Sequence, residues 1–397
     1  VYNSTGGTAV IDPNGNISVA GHSSYLLDAL ARGYGTANQV GYNYTFDSTT
    51  RQVTSAIDPL NRVYSAAYDA FGDLTSATDP LGKATTYTYN SFGEVTSAVD
   101  PTGVATTYTY DPQGDLMSVS AGNGAATTTY AYNPIQPGDL MSSTDPDGRT
   151  TSYGFDVNGD LSRVTDPAGD TTLYNYDIDG QVTSVDTPNG DVYHYTYAGV
   201  DSPEVTLATD ALGFSSSFSY DGNGNLLSST DPTGATTTYA YDAFDDFVRV
   251  NEPNGQFTAY TYDGDGNVLS IADNLATQWT YSYDALGRTV SSTDALGRTT
   301  TYGYDGAGQL TSSTDPSSRT TYFGYDSDGR LVQTNYGSTL QSTYAYDADG
   351  RPIVTYNAGV VTEYTYDSLG RLVHQLNGSG ASVSYGYDPA SQLTSLT

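Results

Sequence analysis

A tyrosine followed by an aspartate returns about every 21 residues along nearly the whole chain. Clear copies are Tyr68-Asp69, Tyr110-Asp111, Tyr241-Asp242, Tyr283-Asp284, Tyr304-Asp305, Tyr346-Asp347 and Tyr387-Asp388. With softened forms such as Phe46-Asp47, Tyr89-Asn90, Phe155-Asp156 and Tyr197-Ala198 there are 17 copies, at spacings of 20 to 23 residues. A fixed period of this size marks a repeat architecture, in which each unit packs on its neighbours. Function is therefore expected in the surface that the copies build together.

Residues 68–89 show how one unit folds. Asp79-Pro80-Leu81-Gly82 is a turn: the Asp side chain can accept bonds from the backbone ahead, Pro80 presets φ, and Gly82 takes the left-handed conformation. The arrangement recurs at Asp100, Asp145, Asp166 and Asp231. Asp69-Ala70-Phe71-Gly72 is a second turn, with relatives at Asp284 to Gly287 and Asp367 to Gly370; a type I turn followed by a left-handed Gly gives a short hairpin with a bulge. Between the turns lie Leu74 to Thr78 and Thr85 to Tyr89, runs too short for helices and dense in β-branched and aromatic residues. Alternation puts Tyr87 and Tyr89 on one face and Thr86 and Thr88 on the other. The fold class is thus all-β: a repetitive antiparallel meander, wound by sheet twist into a spiral sheet, shell or tube with the Tyr face in. The number of repeats per turn does not follow from the period.

The array occupies residues 42–397, and residues 1–41 depart from it as an atypical cap or joining segment. There Ser23 to Gly33 carries apolar residues at 26, 27, 30 and 31, a spacing that predicts a short helix. The chain begins at Val1 and stops at Thr397 inside the pattern, which reads as a section of a longer protein or assembly.

Composition excludes several functions. With 13 Lys+Arg against 45 Asp+Glu, the net charge of −32 disfavours nucleic acid and anionic membrane surfaces. No run approaches the ~20 apolar residues of a membrane span. Cysteine is absent, so no disulfide staples the units. Disorder, the simplest reading of an acidic Gly- and Ser-rich chain, is opposed by the strict period and by 38 tyrosines.

The block Tyr283-Asp284-Ala285-Leu286-Gly287-Arg288, then Thr293-Asp294-Ala295-Leu296-Gly297-Arg298-Thr299-Thr300, then Tyr302-Gly303-Tyr304-Asp305 resembles the RHS/YD-repeat family. Weaker forms cover about residues 42–397. The resemblance implies a spiral β-sheet able to form a hollow shell, a cocoon around a C-terminal toxin in bacterial members and an extracellular barrel in animal adhesion proteins of the teneurin type. The chain ends at Tyr387-Asp388-Pro389-Ala390-Ser391-Gln392-Leu393, with neither the family's closing Asp-Pro-x-Gly-Leu-like core nor an effector in view.

No residues announce catalysis. His22, His194 and His374 are far apart in a repeat array, and His194 alternates away from Tyr193 and Tyr195. Zinc has no ligand set, and no cofactor is expected. Asp221-Gly222-Asn223-Gly224-Asn225 and Asp263-Gly264-Asp265-Gly266-Asn267, with Asp326 to Gly329 and Asp347 to Gly350, resemble the start of a calcium loop. They lack the acidic twelfth ligand and stand where the hairpin turn belongs. Asn3, Asn16, Asn43 and Asn377 satisfy the N-glycosylation triplet. The structural positions are Tyr68, Asp69, Gly72, Asp79, Pro80, Gly82, Tyr87, Tyr89, Tyr283, Asp284, Gly287, Tyr304 and Asp305. The leading expectation is a non-enzymatic wall of an extracellular fibre or surface appendage, self-associating through open sheet edges. The alternatives are a section of an RHS-type toxin cocoon, and a cell-surface adhesion or glycan-binding module.

Overall fold

The computed structural model describes residues 7–11, 17–21, 42–136, 138–200 and 202–397. The expected helix at Ser23 to Gly33, His22, Asn3 and Asn16 lie outside the described residues. Strands Gly7–Ile11 and Ile17–Gly21 pair with each other, antiparallel. From Asn43 onward the chain is one antiparallel ribbon of 34 strands, each hydrogen-bonded to the strands before and after it in sequence. The end strands Asn43–Phe46 and Leu393–Leu396 each pair with a single neighbour, so the ladder does not close on itself.

Both turn classes adopt one geometry. In the Tyr-Asp turn, Gly72 N–H donates to Asp69 C=O at 3.2 Å and Asp69 N–H to Asp73 C=O at 3.0 Å. In the Asp-Pro turn, Gly82 N–H donates to Asp79 C=O and Asp79 N–H to Lys83 C=O, both at 3.0 Å. Gly72 and Gly82 have φ of 96° and 77°, the left-handed region where a Cβ is strained. The Asp carboxylate completes each turn. Asp69 Oδ1 accepts from Phe71 and Asp73 N–H at 2.8 and 3.0 Å, and Asp79 Oδ1 from Leu81 and Lys83 N–H at 3.0 and 2.8 Å. The two aspartates of each repeat are therefore equivalent caps, although only one is preceded by the signature tyrosine.

The sequence reading expected a bulge at the turn glycine, but not a further one three residues on, at Thr75. Leu74 pairs with Tyr68, but the next pair is Ser76 with Ala67, leaving Thr75 unopposed. The same skip follows Val95, Leu161, Val182, Leu226, Val268, Leu310 and Leu331. An extra residue reverses the alternation. Leu74 and Ala77, three apart, consequently share the face of Tyr87 and Tyr89. The other face carries hydroxyl pairs beside the turns, among them Thr144–Thr150 at 2.8 Å, Thr230–Thr236 at 2.9 Å and Ser282–Ser291 at 2.6 Å. Along Ala84–Tyr89 the tyrosines are half-buried while Thr86 and Thr88 are exposed. The core is a thin layer of rings and aliphatic side chains on one face, with Ala56 as the one fully buried hydrophobe among the described residues.

Candidate functional site at the winding seam

In most signatures the tyrosine spans two hairpins. Tyr89 Oη donates to Leu74 C=O at 2.7 Å, fifteen residues back. The same bond is made by Tyr68 to Val53, Tyr176 to Leu161, Tyr283 to Val268, Tyr304 to Thr289, Tyr325 to Leu310 and Tyr387 to Leu372. Its cause is the bulge. The ladder between Leu74–Thr78 and Ala84–Tyr89 reaches only Ser76–Thr86, so the Leu74 carbonyl has no strand partner there and the phenol supplies one. Burial pushes the Tyr89 phenol up, helped by the nearby carboxylates of Asp73 and Asp69, which keeps it a neutral donor. The strand's other tyrosine also finds a partner in several repeats: Tyr153 and Tyr302 meet Ser143 and Ser292 at 3.3 and 3.1 Å. Tyr89→Phe is expected to cost about 1–2 kcal/mol, because it leaves a half-buried carbonyl unpaired. Urea unfolding indistinguishable from the parent would show that water serves this carbonyl as well.

The residue after the turn glycine staples one repeat to the next. Arg288 Nε donates to Asp284 Oδ2 at 2.7 Å, its NH1 reaches Asp305 C=O at 3.1 Å, and its guanidinium lies 4.7 Å from the Tyr304 ring centroid. Arg330 and Arg371 repeat this on Tyr346 and Tyr387, both at 4.9 Å. Glutamine does the same by hydrogen bond: Gln309 Nε2 donates to Gly329 C=O at 2.9 Å. Burial alone would raise the Asp326 carboxyl, but Arg330, through its guanidinium and its backbone N–H, outweighs this and holds it below the usual range.

These same turns meet a distant part of the chain. Arg62 NH1 donates to Gln309 Oε1 at 3.2 Å across 247 residues. Thr102 Oγ1 donates to Asp349 Oδ2 at 3.1 Å, also across 247 residues, and Arg149 NH1 to Gln392 Oε1 at 2.9 Å across 243. Lys83 Nζ reaches Asp347 C=O at 3.4 Å. Between Gly122 and Leu369 there is no room for another atom: a Cβ at Gly122 would stand 2.5 Å from Leu369 Cδ2. Four of the first partners lie in Asp-Pro turns and Gly122 in a turn at the same edge of the ribbon, while every second partner lies in the Tyr-Asp class. One edge of the ribbon thus lands on its opposite edge one winding later, and 23 strands, Val63–Tyr68 through Thr299–Tyr304, make the winding. Asp79 faces Arg330 and Asp328 across this seam; burial chiefly, with Asp79 adding to it, pushes the Asp328 carboxyl up.

Sequence could have signalled the seam. The position after the left-handed residue of the Tyr-Asp turn, usually glycine, is Asp73, Glu94, Asp115, Asp139 and Asp160 early in the chain, but Gln309, Arg330, Arg351, Arg371 and Gln392 where the second winding lies on the first. Of the other candidate residues, His194 is exposed, and His374 Nδ1 is 3.1 Å from Ser384 Oγ, with no carboxylate in that contact. The calcium-like turns spend their carboxylates on backbone: Asp221 Oδ1 accepts from Asn223 and Asn225, both at 2.9 Å, and Asp263 Oδ1 from Asp265 and Asn267, both at 2.9 Å. Among the described residues no three His, Cys, Asp or Glu converge as a metal site would require. Asn43 is exposed on an edge strand, whereas Asn377 opens a turn, its Oδ1 accepting from Ala381 N–H at 3.0 Å. An open groove of about 370 Å³, lined by Trp279, Tyr281, Thr289, Ser292, Tyr302 and Tyr304, holds no acid–base pair.

Known proteins share this design. The Teneurin YD-shell pattern matches residues 61–233, and the RHS Repeat pattern matches successive windows from 220–256 to 366–397. The crystal structure of TcdB2-TccC3-TEV superposes with a TM-score of 0.76 at 14% identity, over 97% of this chain and 24% of that one. TcdB2-TccC3 without its hypervariable C-terminal region gives 0.46 at 16% identity, over 95% and 26%. No curated protein sequence matches. The chain spans about a quarter of the length of these structures. With its aspartate-capped turns, its tyrosine bridges and two family patterns in register along the ribbon, the chain belongs to the RHS/YD-repeat family.

Proposed function

We propose that the chain is one section of the wall of an RHS-type shell, a hollow spiral that encloses a polypeptide cargo. The observation that carries this reading is the seam. A ribbon whose opposite edges meet after each winding separates an inside from an outside, as a container must; a fibre of stacked repeats needs no such contact. The seam therefore favours the cocoon alternative over the fibre wall. The likeness to TcdB2-TccC3-TEV supports it through the fold alone. The work of the protein is structural and non-enzymatic, since the repeated Tyr, Asp and Arg side chains are engaged in holding the wall. Its setting is extracellular or at a cell surface, and its partners are other sections of the same shell.

A winding of 23 strands spaced about 4.8 Å apart gives a tube roughly 35 Å across between wall midlines. Electron microscopy of the purified chain is expected to show short hollow particles of that width. Long filaments growing with concentration, without a central channel, would reject the shell and return the fibre.

A further inference from the structure

We propose that the seam is a releasable joint, along which the two windings part and the wall opens sideways while every strand pair stays intact. This rests on the shell reading only for its use as a gate; the joint itself is a property of the ribbon. Along the ribbon, neighbouring strands are held by continuous backbone ladders, reinforced by tyrosine bridges and arginine staples. Across the seam, among the described residues, no backbone ladder runs. Its contacts are side-chain ones: Arg62 with Gln309, Lys83 with the Asp347 carbonyl, Thr102 with Asp349, Arg149 with Gln392, and the Leu369 side chain against Gly122.

The joint also holds like charges together. Asp79 of one winding faces Asp328 of the other, with Lys83 and Arg330 beside them. Asp328 Oδ1 and Asp349 Oδ1 are buried there without a hydrogen-bond partner. A buried carboxylate oxygen left unpaired weakens the state that buries it. Separation of the windings hydrates both oxygens and breaks only side-chain contacts, whereas bending the ribbon open anywhere else breaks a ladder. Local opening of a structure follows its least protected contacts, and here those contacts form one continuous line.

The absence of cysteine makes the test direct. Leu369 Cγ stands 3.0 Å from the place a Cβ would take at Gly122, so Gly122→Cys with Leu369→Cys bridges the seam with the only disulfide in the chain. Small-angle scattering and far-ultraviolet circular dichroism are followed along one urea titration. The unlocked protein is expected to expand first, its radius of gyration rising roughly twofold toward that of a ribbon about 160 Å long, with the β signal unchanged. Lys83→Glu, which adds a third carboxylate near Asp79 and Asp328, is expected to move that expansion to lower urea without moving the loss of β signal. The oxidised double-cysteine protein should show no early expansion, and reduction should restore it. A single transition in the unlocked protein, with size and β signal changing together, overturns the proposal, as does early expansion that survives oxidation. Either result leaves the hollow particle of the shell reading standing, because that is judged by shape in the absence of urea.

Discussion

Asp284→Ala is expected to lower the unfolding free energy by about 2–4 kcal/mol, more than the loss of any one tyrosine hydroxyl. Asp284 Oδ1 accepts from Leu286 N–H at 2.9 Å and from Arg288 N–H at 3.0 Å. Oδ2 holds Arg288 Nε at 2.7 Å. Burial pushes this carboxyl up, yet the guanidinium and two backbone donors outweigh that and hold it below the usual range. Alanine removes the acceptor while the turn still presents its N–H groups, and it frees Arg288 from the position in which it covers the Tyr304 ring. The damage therefore spreads to the next repeat, as expected where stability is a sum of unit and neighbour terms. Asp284→Asn keeps one acceptor oxygen and should recover part of the loss. Equal melting curves for the alanine variant and the parent would mean that Gly287 and the strand ladders alone define the turn.

Acidification is expected to unfold the whole array within a narrow range below about pH 4, the region of ordinary carboxylate titration. The sign follows from the turns. Asp221 is held below its usual range first by the backbone N–H of Asn225, and Asp294 and Asp315 first by Arg298 and Arg319. A carboxyl with a depressed value in the fold gives stability that is complete above its unfolded value and is lost as pH falls through the folded one. Asp328, raised by burial, works in the opposite direction: its protonation relieves the seam. The depressed groups are distributed over the whole ribbon and outweigh it. The net charge of −32 shrinks toward zero near pH 4.1, which removes self-repulsion, so a loss of stability that sets in around that pH reports the turns and not general charge. At the alkaline end burial raises Tyr68, Tyr89 and Tyr325, so stability is lost as pH rises past about 10. Thermal melting followed by circular dichroism from pH 7 to pH 2 checks the acid limb; an unchanged melting temperature at pH 3 would remove the carboxylates from the account.

Much of the repeat was legible because it is built from local signals. Asp79-Pro80-Leu81-Gly82 and Asp69-Ala70-Phe71-Gly72 specify turns within five residues, and the strands between them follow from β-branched and aromatic alternation. The bulge after Leu74 was not legible. The residue skipped is an unremarkable Thr75, and the skip shows only in the pairing of two strands. The tyrosines were read only as the inward face of the sheet, whereas the hydroxyl's bond to the Leu74 carbonyl depends on that bulge. His194 and the calcium-like turns were read as structural from their positions; His194 is exposed on its strand, and Asp221 and Asp263 cap their turns.

By itself the sequence determined the unit: its period, its two aspartate-capped turns, its antiparallel order and the face that carries the rings. These depend on torsional preferences and hydrogen bonds between residues that are near in the chain. Only the tertiary structure decided how many units make a winding and what lies against what across 247 residues. The curvature of a ribbon is a small angle per strand, set by twist and bulges and summed over 23 strands. A small change in that angle would carry Gln309 past Arg62, and no local signal is fine enough to set it. The contacts that stop the coil, Arg62 on Gln309 and Leu369 on Gly122, exist only once it has closed.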